Sequence, residues 1–224
     1  MAGLSGRSIK QHAEELFAEA ENKPFIDGYS EALRANLRDL SASYQRTLLL
    51  GVVLMAAFEL IVRAAISKAS IGPFEISDLS LIRVAVPALV AFLYFQLLAI
   101  ESSRALLEDV HAAVLRAAYP DVADSYLVGL TTPPAPAAQG ALLFPLDAVG
   151  AVARRRLVRA FDSAATFAVF LLFVAFEVYA YAIQVARFGL SVLLLVAFAA
   201  SAWFIYTGLH TFFALLSVTA ERNP

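Results

Sequence analysis

No cysteine occurs anywhere in the 224 residues. Thiolate catalysis, a structural disulfide and any cysteine-ligated zinc or iron–sulfur centre are therefore excluded. Charge is scarce too: Asp, Glu, Lys and Arg make up 16% of the chain, and the formal net charge of −2 offers no basic surface for nucleic acid. Enzyme motifs are missing, with no H-E-x-x-H, no G-x-S-x-G and no Gly-rich phosphate loop. The potassium-filter sequence is absent as well. His12, His111 and His210 are far apart, and His12 beside Glu14 and Glu15, like His111 beside Glu108 and Asp109, reads as acidic helix surface. No enzyme activity, metal or cofactor is expected. The N-terminal MAGLSGRSIKQHAEELF lacks the apolar core of a signal peptide, so insertion is expected to be directed by the first apolar span.

What the chain has in excess is apolar surface. Hydrophobic residues are 60% of the total and the mean hydropathy is +0.72, against about 45–50% apolar in a typical soluble domain. The excess is blocked into four segments, at residues 47–66, 81–100, 164–186 and 189–218. Each approaches or exceeds the roughly 20 apolar residues that cross a bilayer as a helix. None alternates with period two, which excludes barrel strands. The expected fold is an all-α integral membrane protein with four transmembrane helices. Its Ala, Leu, Val and Arg richness points to a bacterial chain, hence to a cytoplasmic (inner) membrane.

Thirteen of the seventeen Lys and Arg fall in the N-terminal segment, in the stretch between spans two and three, or in the tail. Only Arg63, Lys68, Arg83 and Arg187 fall on the other side. The positive-inside rule then places both termini in the cytoplasm, with 67–80 an external loop. Arg154, Arg155, Arg156 and Arg159 read as a topology anchor against anionic headgroups.

Within the N-terminal segment 1–46, Ile9, Ala13, Leu16 and Ala20 give a first amphipathic helix, broken at Asn22-Lys23-Pro24. Leu33, Leu37, Leu40 and Tyr44 then lead without a break into span one. Span two continues likewise through 101–119, where Ile100, Ser103, Leu107, Val110 and Val114 form a heptad-like seam. The two extensions are expected to pair antiparallel as a cytoplasmic helical stalk, within one chain or between copies. Residues 120–163 comprise a linker, TTPPAPAAQG at 131–140, a short apolar ALLFPL at 141–146 and the basic juxtamembrane run. A weak repeat relates the two hairpins: Ala57-Phe58-Glu59 matches Ala175-Phe176-Glu177, and Val90-Ala91-Phe92 matches Val196-Ala197-Phe198.

Glu59 and Glu177 are the residues most in need of a reason, since a carboxylate deep in a bilayer costs a few kcal/mol on insertion scales. They suit proton binding and release, because removal from water penalises the charged form, or an acidic ring that selects cations in an oligomer. The structural alternative is equally concrete. Arg63 stands four residues after Glu59 in the favourable order for an ion pair, and Arg83 is placed to reach the same cluster. Tyr181 and Gln184 are placed to hydrogen-bond Glu177. Pro87 marks a kink or gate in span two. The leading expectation is a non-enzymatic, homo-oligomeric channel or pore conducting cations or protons past the two glutamates, gated by a cytoplasmic protein partner or signal. A proton-coupled small carrier is the first alternative. A membrane scaffold, accessory subunit or envelope-acting defence effector is the second. Partners are then the lipid bilayer, further copies of the chain and a cytoplasmic protein, not nucleic acid.

Overall fold

The computed structural model describes residues 23–63, 69–71, 74–76, 79–119 and 151–220. The expected first amphipathic helix, the Pro/Ala-rich linker and the ALLFPL segment lie outside the described residues. Four long helices dominate: α1 (Lys23–Val62), α2 (Ser80–Ala118), α3 (Ala151–Phe188) and α4 (Val192–Ala220). Each is long and apolar enough to cross a membrane, which makes the chain a candidate multi-pass membrane protein. Between α1 and α2 lie two short strands, β1 (Ala69–Ile71) and β2 (Phe74–Ile76), paired antiparallel with Ser70 opposite Glu75.

Two of the helices begin earlier than the apolar spacing alone indicates. α1 starts at Lys23, so the expected break at Asn22-Lys23-Pro24 is the helix N-terminus; proline is tolerated in a first turn, where its missing N–H has no intrahelical partner to lose. α3 starts at Ala151, directly after Gly150, and carries the basic run Arg154 to Arg159 on helix rather than on linker. α3 ends at a glycine, Gly189, with φ of 75°, a left-handed conformation that spares glycine the usual Cβ penalty. Its N–H bonds back to the Val185 carbonyl at 3.1 Å. Ser191 then caps α4, accepting a hydrogen bond from the Leu194 N–H at 3.1 Å. Three residues therefore suffice to turn α3 into α4.

The chain divides into two compact units. The first comprises Met1–Ser43 with Glu101–Asp162. In it α1 and α2 run antiparallel: Asp27 accepts a hydrogen bond from the Tyr119 hydroxyl at 2.7 Å, and Ser30 meets His111 at 3.3 Å. Leu33, Leu37 and Val114 are buried, as the seam requires, but so are Ser102, Arg104, His111 and Ala113, while Ser103 is exposed. Arg104 can be buried because two carboxylates take its charge, Glu108 at 2.6 Å and Glu101 at 3.4 Å.

The second unit comprises Tyr44–Ile100 with Ser163–Pro224. Its core is aromatic. Phe58 of α1 meets Phe176 of α3 edge-on at 5.4 Å, and Tyr94 of α2 packs against Phe170 and Phe173 of α3 at 5.7 and 5.9 Å. Phe92 and Phe95 of α2 reach Phe204 of α4. Outward the unit shows large apolar side chains, including Val178, Leu190, Val192 and Trp203, which are more than 60% exposed. Apolar side chains outside with glutamate, glutamine and serine buried inside is the reverse of a water-soluble surface.

Candidate functional site

The two glutamates occupy different environments in the second unit. α1 and α3 touch at the residues just before them, Phe58 and Phe176, so the matching Ala-Phe-Glu triplets lie at one level of the helix pair. From there a step of about 100° per residue turns each carboxylate away from its phenylalanine.

Glu59 is part-exposed and charge-paired. Its Oε2 accepts a hydrogen bond from Arg63 Nε at 2.9 Å, across one helical turn. The Tyr179 hydroxyl of α3 lies within hydrogen-bonding reach of the same carboxylate, and the charge of Arg187 acts on it. Arg187 also donates from Nη1 to the carbonyl of Val62 at 3.0 Å, satisfying an orphan acceptor at the end of α1. The Arg187–Val62 hydrogen bond thus ties the last turn of α3 to the end of α1. The Arg83 guanidinium sits over the Phe188 ring, 3.4 Å from the centroid.

Glu177 is 5% exposed, and neither carboxylate oxygen has a hydrogen-bond partner among the described residues. The expected donors turn aside from it. Tyr181, four residues on, directs its hydroxyl to Ser201 of α4, with the two oxygens 2.8 Å apart. Ser201 lies beside the carboxylate, but its hydrogen bond is the one to Tyr181. Gln184 is 1% exposed and its Nε2 is likewise unpartnered among the described residues. The reason is geometric: residues 177, 181 and 184 share one face of α3 at steps of about 6 and 4.5 Å along the axis, and across from Tyr181 that face meets α4. Around Tyr181 the packing is otherwise apolar, from Val84 and Ala88 of α2 and Leu194 and Ala197 of α4.

No known protein family, curated protein or solved structure matches the chain. The site is therefore read from its own chemistry. Pro87 is buried inside α2, and the helix runs on through it from Ser80 to Ala118. Among the described residues no three of His, Asp and Glu gather as a metal site. His210 is exposed and stacks near Tyr206, at 6.0 Å between ring centres.

Ser201 and Tyr179 were not singled out by the sequence, and Arg187 counted there only as a topological charge. Ser201 offers a faint signal, the first hydroxyl in the apolar run of α4. Tyr179 offers none, because its partner is on another helix.

Proposed function

We propose that the chain is a four-span, non-enzymatic protein of a bacterial inner membrane that moves protons or small cations across the bilayer by way of Glu177. One observation carries this reading: a carboxylate 5% exposed, with neither oxygen hydrogen-bonded among the described residues. Such a group is costly to keep in a fold that gains nothing from it, and intramembrane ionisable residues mark transport paths more often than they mark packing. Both termini and the α1–α2 pairing of the first unit are assigned to the cytoplasm from the Lys and Arg distribution, giving the helical stalk.

The two glutamates do not share the role. Glu59 is committed to Arg63, which supports a structural part for it. A wide pore lined by both carboxylates is also poorly supported, because Phe58, Tyr94, Phe173 and Phe176 fill the core between helices α1, α2 and α3. The ties of Glu59 to Arg63 and of Arg187 to Val62 favour a second reading, a scaffold or accessory subunit that holds a partner protein.

Purified protein in liposomes separates the two. With an imposed potential and an internal pH dye, the wild type is expected to pass protons, or sodium or potassium read by the matching indicators. Glu177→Gln is expected to lower that flux by about a hundredfold, the scale of a lost proton-transfer group. Glu59→Gln is expected to leave most of it intact. Absence of flux of all three ions in wild-type liposomes excludes the transport reading and leaves the scaffold.

A further inference from the structure

A transport group must be reached by what it transports, yet Glu177 is only 5% exposed. Two contacts between α3 and α4 bracket it. Toward the α3–α4 turn, the Tyr181 hydroxyl and Ser201 Oγ are 2.8 Å apart. On its other side, Phe170 meets Phe212 edge-on at 5.7 Å. Eleven residues separate Phe170 from Tyr181 and the same eleven separate Ser201 from Phe212, so the antiparallel register is constant between the two contacts. Glu177 lies between them on the same face of α3, four residues before Tyr181, which sets Ile205 of α4 at its level. Glu177 therefore sits under α4, where the facing residue is aliphatic.

We infer that α4 is a hinged cover over Glu177, latched shut by the Tyr181–Ser201 hydrogen bond, and that its opening admits the transported ion. The inference rests on the reading of Glu177 as a transport group. The buried positions of α4 fall on one line, Leu194, Ala197, Ser201 and Gly208, while most of the helix faces outward. Its contacts with α2 are apolar: Phe204 meets Phe92 and Phe95, and Gly208 lies against Leu98. In a bilayer such contacts are exchanged for lipid tails at little cost, because the tails are as apolar as the side chains. A hydroxyl finds no hydrogen-bond partner among lipid tails, so the Tyr181–Ser201 bond is the tie that favours the closed state.

The hinge is the three-residue turn. Gly189 has the left-handed φ of 75° that glycine adopts freely, and hinges are short runs between elements that absorb a change in φ and ψ. Each helix is closed off beside it: the Gly189 N–H bonds to the Val185 carbonyl, and Ser191 accepts from the Leu194 N–H. α4 can thus swing as a rod without unwinding its first turn. Glu177 stands twelve residues before Gly189. That is roughly 18 Å along the axis at 1.5 Å per residue, so a swing of about 20° opens about 6 Å at its level.

The chain has no cysteine, so Glu177→Cys in full-length protein in liposomes carries the sole thiol. Its rate of reaction with a small cationic methanethiosulfonate, which attacks thiols that water can reach, reads the opening. Glu177→Cys by itself is expected to react far more slowly than Ser191→Cys at the exposed turn. Adding Tyr181→Phe, which keeps the ring packed on Phe198 at 5.2 Å, is expected to speed the reaction about two- to tenfold, the range set by one lost hydrogen bond. Ser201→Ala is expected to do the same, which keeps the test open should one variant fold poorly. Val90→Cys, fully buried on α2, is expected to react equally slowly in all three backgrounds. An unchanged rate at position 177 in both variants overturns the latch. Equal acceleration at position 90 overturns it too, since that reports general loosening. A rate at position 177 matching that of Ser191→Cys from the outset overturns the cover. Labelling needs no ion gradient, so a latch-dependent rate in a protein that passes no ions overturns the transport reading and leaves the cover.

Discussion

Gly51 faces Phe173 so closely that a Cβ there would lie 2.6 Å from the ring's Cζ. A side chain's far end can often yield, but Phe173 is 1% exposed and held against Tyr94. Gly28 is the opposite case, an exposed helical glycine with nothing within 4 Å of an added Cβ. The two therefore respond to the same substitution with opposite signs. Gly28→Ala is expected to stabilise by roughly 0.5–1 kcal/mol, since glycine in a helix interior costs that much relative to alanine. Gly51→Ala gains the same propensity term but meets overpacking of about 1–3 kcal/mol, for a net loss. Thermal unfolding of the two variants in one detergent reads both signs. A Gly51→Ala protein as stable as Gly28→Ala would show that Phe173 can swing away. The same scale explains why Glu177 was visible in the sequence and its surroundings were not. A carboxylate amid Val, Ala, Phe and Tyr announces itself, whereas the Ser201 hydroxyl beside it belongs to another helix, whose rotation no local pattern fixes.

At the scale of elements, long apolar runs made the four helices readable, and the seam positions Leu33, Leu37 and Val114 are buried as their spacing implies. The remainder of that seam was not readable, because periodicity counts only apolar residues. In α2 the buried face includes Arg104 and His111, admitted by partners: Glu101 and Glu108 for the arginine, Ser30 for the histidine. His111 gives the α1–α2 pair a pH dependence. Burial first, and the nearby charge of Arg34 second, hold its imidazole below the ordinary value of 6.5. Near and below that ordinary value the unfolded segment binds a proton that the folded one refuses, so stability is full above it and falls as the pH drops toward the depressed value. Amide hydrogen exchange across residues 102–118, corrected for intrinsic rates, is expected to speed up between neutral pH and pH of about 5.5. His111→Gln, which keeps a polar partner for Ser30 and cannot titrate, is expected to flatten that dependence. Equal pH dependence in the variant would move the effect to another group.

For the molecule as a whole, the open question is which side of a bilayer each connection faces, and the absence of cysteine makes it directly answerable. Any single introduced cysteine is the only thiol in the chain. Thirteen of seventeen basic residues lie before span one, between spans two and three, or in the tail. With that bias the positive-inside rule outweighs the contributions of Arg63, Lys68, Arg83 and Arg187 on the opposite side. Two of those four are also engaged locally, Arg63 with Glu59 and Arg187 with the Val62 carbonyl, which reduces their weight as free charges at the surface. The prediction concerns Ser70→Cys in β1, Thr132→Cys between α2 and α3, and Asn223→Cys in the tail. In spheroplasts, a membrane-impermeant maleimide is expected to label Ser70→Cys at once, and the other two only after permeabilisation. The reversed pattern would invert the orientation and place the α1–α2 pairing with His111 outside the cell. Its pH response would then report the external medium, and the driving force for proton entry at Glu177 would be reached from the opposite end of α3.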